Sequence, residues 1–116
     1  MNAVDIDSKV LDDAVVVTLE GELDGKTAPV AQQQIAPLIP TEGKVVMDMK
    51  GVGFMSSAGL RMMLLLYRHA LSKETKIALV GLSEEISDTM SATGFLDFFV
   101  VSDTVESGLE LLRAAA

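Results

Sequence analysis

Three short apolar runs, residues 14–19, 44–49 and 77–80, are parted by longer stretches with helical spacing. The first two are rich in valine, and each run is too short for a buried helix. Such runs read as strands buried on at least one face. Strands that alternate with helices must be joined by crossovers, which forces a largely parallel sheet with helices packed on it. Few other arrangements satisfy this pattern.

The remaining elements follow from local signals. Residues 3–11 alternate loosely through Val4, Ile6 and Val10, and Asp12-Asp13 is a turn signal. An edge strand in a hairpin-like pair therefore makes the sheet mixed. Two glycines and three acids in residues 20–25 are expected to end the second strand. Thr27 is then predicted to cap a helix that tolerates Pro29 in its first turn, with Val30, Ile35 and Leu38 inward and Pro37 and Pro40 at its end. After the third strand, a long helix is expected after Ser57, with the Ser57 hydroxyl as its cap. Leu60, Met63, Leu64, Tyr67 and Leu71 fall on one face of it, and Met62, Leu65 and Leu66 widen that face. Ser83 caps the next helix, residues 84–92, and Gly94 has the position of a C′ glycine. A last strand lies within residues 95–101, and Asp103 with Glu106 resembles a capping box for a final helix that turns Leu109 and Leu112 inward. The predicted order is β-β-α-β-α-β-α-β-α, a single α/β domain over residues 1–116 with a mixed, mainly parallel sheet.

Composition removes whole classes of function. A formal charge of −8 is the wrong sign for a nucleic-acid binder and suits a partner with a basic surface. No apolar run approaches the roughly 20 residues of a membrane span. Acids occupy the first residues where a secretory signal would carry Lys or Arg, so a cytoplasmic protein is expected. With no cysteine and one histidine, disulfides, thiol catalysis and multi-histidine metal sites are ruled out.

Four candidate chemistries are weak. Gly21-Glu-Leu-Asp-Gly-Lys-Thr27 follows a strand and opens a helix, as a phosphate-binding P-loop does. Its glycine spacing is one residue short, and Glu22 and Asp24 would repel phosphate; an acidic loop that touches a partner is the better reading. Ser57 as a hydrolase nucleophile lacks the preceding glycine of a nucleophile elbow, because position 55 is Met. Its only possible imidazole base, His69, lies twelve residues along the same helix, about 18 Å away at about 1.5 Å per residue. Asp5, Asp7, Asp12 and Asp13 lack the glycine and terminal Glu of a calcium loop and read as a solvated face. His69 itself reads as an ordinary residue at the border of the helix. No catalytic set, metal site or cofactor site is expected.

The pair Ser56-Ser57 is different. A hydroxyl at a helix start caps an unpaired N–H. Flanked by Ala58 and Gly59, it is also open to modification, and a helix start receives a phosphate favourably. Cap and switch remain as two readings of the same residues.

The segment Val46-Met-Asp-Met-Lys-Gly-Val-Gly-Phe-Met-Ser-Ser-Ala-Gly-Leu-Arg61, with Gly21-Glu-Leu-Asp24 and Thr27 upstream, resembles the STAS domain, and within it the stand-alone bacterial anti-sigma factor antagonists. The resemblance covers nearly the whole chain. It implies a regulatory binding protein that captures an anti-sigma factor with a histidine-kinase-like ATPase fold. That partner, a serine kinase holding its own ATP or ADP, would phosphorylate Ser57 and break the complex, and a PP2C-type phosphatase would restore it. The acceptor falls on Ser57, with Ser56 the alternative, since many members have Asp where this chain has Ser56. Asp24, Ser56, Ser57, Ala58, Gly59 and Arg61 fall on the implied contact surface, and Asp48 on a polar position at the end of the third strand. The resemblance also admits a scaffold without phosphorylation, in a transporter, lipid-transport or stressosome-type assembly.

Overall fold

A computed structural model describes residues 3–114; residues 1, 2, 115 and 116 of the predicted domain lie outside the described residues. The element order is that expected: β1 (Val4–Leu11), β2 (Ala14–Leu23), α1 (Thr27–Ile35), β3 (Lys44–Met55), α2 (Ser57–Ser72), β4 (Lys76–Val80), α3 (Glu84–Ala92), β5 (Val100–Ser102) and α4 (Val105–Ala114). Short 3₁₀ turns occupy Ala36–Leu38 and Phe95–Phe98. The five strands lie in the order β1-β2-β3-β4-β5. β1 is antiparallel to β2, and the other neighbours are parallel. This is a mixed, mainly parallel sheet.

Period-two alternation sends each strand's residues to two different cores. Val17, Leu19, Val45, Met47, Met49, Ile77 and Leu79 pack with residues from α1, α2 and α3. Ala14, Val16, Val46, Ala78 and Val80 point the other way and pack under Leu109 and Leu112 of α4. Three helices therefore cover one face, and α4 alone covers part of the other.

Two strands run further than their local sequence predicts. β2 continues through Gly21 to Leu23, and β3 through Gly51 and Gly53 to Met55. Tertiary pairing overrides the break signals: Gly21 is matched to Val4 on one side and Val52 on the other, and Leu23 to Met55. Register shifts between Thr18 and Glu20, and again between Gly21 and Glu22, absorb the irregularity. Asp48 consequently lies inside β3 rather than at its end. The last strand is shorter than residues 95–101 allow, because Phe95 and Phe98 lie in a 3₁₀ turn where Phe98 stacks on Tyr67 of α2 at 4.9 Å.

Several helix details also differ. The buried face of α2 is Gly59, Met62, Met63, Leu66 and Ala70, and Leu71 is 61% exposed. It is turned by about one residue from the predicted face, because Leu and Met on nearly every side leave the spacing ambiguous. In α1 the inward residues are Thr27, Ala28, Ala31 and Ile35, while Val30 is exposed. Small alanines let α1 lie close to its neighbours. Ser83 caps α3 as expected, accepting the Ile86 N–H at 3.2 Å, and Gly94 follows it with φ 81°. The start of α4 is held by Thr104 and Ser107, not Asp103 and Glu106. Thr104 Oγ1 accepts the Ser107 N–H and Ser107 Oγ accepts the Thr104 N–H, both at 3.1 Å.

Candidate functional site

The site forms where the ends of β2 and β3 meet the starts of α1 and α2. After Met55 the chain must leave the sheet, and the Ser56 N–H donates to the Leu23 carbonyl at 2.8 Å as a last sheet-like bond. Ser56 is extended (φ −83°, ψ −179°), and its Oγ accepts the Ala58 N–H at 3.2 Å. This is N-cap geometry. Ser57 is thus the first residue of α2 and not its cap, which corrects the sequence expectation by one position. Ser57 is exposed, and its hydroxyl makes no hydrogen bond among the described residues.

The segment from Gly21 to Thr27, the end of β2 and the turn into α1, is built around Asp24. Asp24 Oδ1 accepts the N–H groups of Lys26 at 2.9 Å and Thr27 at 3.0 Å. The carboxylate does the capping at the start of α1 that was expected of Thr27. Thr27 is buried instead: its Oγ1 donates to the Glu22 carbonyl at 2.6 Å and accepts the Asp24 N–H at 2.9 Å. The amides that a phosphate-binding loop would offer are therefore taken by the chain's own carboxylate.

Gly59 holds the two halves together. A Cβ there would lie 2.6 Å from Met55 Cγ and 3.0 Å from both Leu23 Cβ and the Leu23 carbonyl. The first turn of α2 therefore packs directly on the end of β2. Gly59 is buried, so it supports the surface from behind.

Ser57, Ala58 and Arg61 line an open cleft between α1 and α2 together with Ala28, Pro29, Gln32, Met62 and Leu65. Sequence reasoning had not assigned the α1 wall or Leu65 to the site. Thr27-Ala28-Pro29 marked only a helix start, and nothing local says which helix lies across from Ser57.

Asp48 is elsewhere. Its Oδ1 accepts the Lys50 N–H at 3.1 Å, and it lines a separate depression with Lys9, Thr18 and Lys50 near the start of α4. His69 sits in the last turn of α2, at the opposite end from Ser57. Among the described residues no group of three His, Asp or Glu is placed to hold a metal, and no helix is long and apolar enough to cross a membrane.

A carboxylate, two hydroxyls, a guanidinium and small apolar residues thus gather at one end of the α/β sheet. The STAS domain family profile matches residues 5–108, and the chain belongs to that family. It is 25% identical over 107 residues to the anti-sigma-B factor antagonist of Bacillus subtilis, covering 92% of this chain and 98% of that one. Among solved structures, an anti-sigma factor antagonist from Mycobacterium paratuberculosis superposes with a TM-score of 0.84 at 23% identity, over 95% of this chain and 94% of that one. The Bacillus cell fate determinant SpoIIAA in its phosphorylated form superposes with a TM-score of 0.70 at 20% identity, over 94% and 100% of the two chains. These structural likenesses establish the shared fold.

Proposed function

We propose that this chain is a cytoplasmic anti-sigma factor antagonist, a non-catalytic binding protein switched by phosphorylation of Ser57. The partner is an anti-sigma factor with a histidine-kinase-like ATPase fold, and a PP2C-type phosphatase reverses the switch. The observation that carries the reading is the division of labour at the start of α2. Ser56 caps the helix, and Ser57, one residue on, is exposed with a hydroxyl that holds nothing in place. A modification there leaves the cap intact.

The chemistry asked of Ser57 is small. Its Oγ forms a bond to the γ-phosphorus of ATP held by the partner, the bridge to ADP breaks, and the hydroxyl proton passes to a base on the kinase. The product adds about −1.5 to −2 charges at the first turn of α2, where the helix dipole favours them. The domain tolerates that charge. A partner surface pressed on the cleft must desolvate it, and the complex separates. The name of the Bacillus subtilis relative and the phosphorylated state of SpoIIAA support this assignment.

Binding can be tested by titrating the candidate anti-sigma ATPase with the wild-type chain, Ser57→Ala and Ser57→Asp. Wild type and Ser57→Ala are expected to bind alike and Ser57→Asp at least about tenfold more weakly, or about 1.4 kcal/mol. Equal binding by all three contradicts the switch.

A further inference from the structure

Arg61 stands one helical turn beyond Ser57, and both line the cleft between α1 and α2. Among the residues lining that cleft it is the sole charged one; the facing wall contributes Ala28, Pro29 and Gln32. Arg61 is exposed and takes part in none of the ion pairs of the described residues, which join Lys44 to Asp13 and Arg113 to Asp12 and Asp13. A chain with seventeen acids and nine Lys and Arg has left this guanidinium unpaired beside the serine. Residues at i and i+4 have Cβ atoms about 5–6 Å apart, and an anion placed N-terminal to its cation is the favourable order. A guanidinium fork matches a phosphate with two parallel hydrogen bonds.

From this placement we infer that Arg61 is a phosphate clamp in cis: once Ser57 carries a phosphate, the Arg61 guanidinium closes over the mouth of the cleft and pairs with it. The inference rests on Ser57 being the modified residue. Its consequence is a double change at the docking surface. Phosphorylation adds an anion and, in the same step, withdraws the one cation that the cleft offers a partner. Glu22 near the end of β2 and Asp24 just after it cannot serve, being anions, and the Lys26 amide is already engaged by Asp24.

The test uses phosphoserine placed at position 57 during translation, so no kinase is needed. The phosphate is titrated by phosphorus NMR in the otherwise wild-type chain, in Arg61→Gln and in Lys26→Gln. A paired guanidinium favours the dianion, so the second phosphate pKa, ordinarily about 6, is expected to rise by about half a unit when Arg61 becomes Gln. Lys26→Gln is expected to leave it in place. Because Arg61 is exposed, Arg61→Gln keeps the fold, which the thermal unfolding of the unmodified variant checks. Identical titration in wild type and Arg61→Gln overturns the clamp, as does a shift produced by Lys26→Gln alone. A clamp seen on installed phosphoserine, in a chain that no kinase modifies, would refute the switch while sparing the geometry. Efficient modification of Ser57 with no dependence of its pKa on Arg61 would do the reverse.

Discussion

The Ser56 N–H donates to the Leu23 carbonyl at 2.8 Å, and this one bond joins the loop that bears Asp24 to the helix that bears Ser57. Asp24, Ser56 and Ser57 all lie at that junction. Behind it, Gly59 lets the helix approach the strand end closely enough for the bond to form. The strand pair Leu23 and Met55 therefore fixes where the two candidate serines stand.

Ser56 and Ser57 should separate cleanly by stability. Ser56→Ala removes the oxygen that accepts the Ala58 N–H and is expected to cost about 1 kcal/mol in urea unfolding. Ser57→Ala removes a hydroxyl with no partner and should stay within about 0.5 kcal/mol of wild type. A larger loss at Ser57 than at Ser56 would reverse the assignment of cap and switch.

Gly59→Ala is expected to destabilise by about 1–3 kcal/mol. Met55 Cγ, 2.6 Å from the added carbon, belongs to a flexible side chain and can move. The Leu23 carbonyl, at 3.0 Å, belongs to a strand and cannot, so the start of α2 must lift. Denaturant unfolding measures the loss, and weaker binding to the anti-sigma partner should accompany it even though Gly59 is buried.

Substitution can divide the capping by Asp24 from its proposed contact with the partner. Asp24→Asn keeps an oxygen able to accept from the Lys26 and Thr27 amides, and its stability should stay near wild type. Asp24→Ala loses both acceptances and is expected to cost about 1 kcal/mol. If the charge itself meets the partner, both variants bind more weakly, and only Asp24→Ala unfolds earlier.

Asp13 provides a pH test remote from the site. The Lys44 side chain donates to it at 2.8 Å, with Arg113 nearby at 3.3 Å, and this holds its carboxyl below the ordinary aspartate value. A carboxyl depressed in the folded state stabilises above its unfolded pKa of about 3.9, and that contribution fades as pH falls through the folded value. The melting temperatures of wild type and Asp13→Asn should therefore differ slightly at neutral pH and converge below about pH 3. The group is exposed, so the difference is small and shrinks further in salt.

The architecture was legible because alternation and helical spacing are properties of whole segments. The boundaries were less so. Glu20-Gly21 and Gly51 carry break signals, yet Glu20 and Gly21 pair with β1 on one side and with β3 on the other, and their β3 partners lie far along the chain. In α2 the near-continuous Leu and Met residues could not say which side faces the sheet. At the site, the types of residue were readable and their duties were shifted. Asp24 does the capping expected of Thr27, and Ser56 does that expected of Ser57. Each shift depends on the backbone conformation of a residue beside the helix, which a pair such as Ser-Ser leaves undetermined.

The central claim is that Ser57 is the switch. Its most direct test is incubation of the wild-type chain with ATP and each histidine-kinase-like anti-sigma factor of the same genome, followed by peptide mass analysis. Phosphate confined to Ser57, absent from Ser57→Ala and retained in Ser56→Ala, is the predicted result. Phosphate on Ser56 alone, or on neither serine while Ser57→Asp binds the partner as well as wild type, would contradict it.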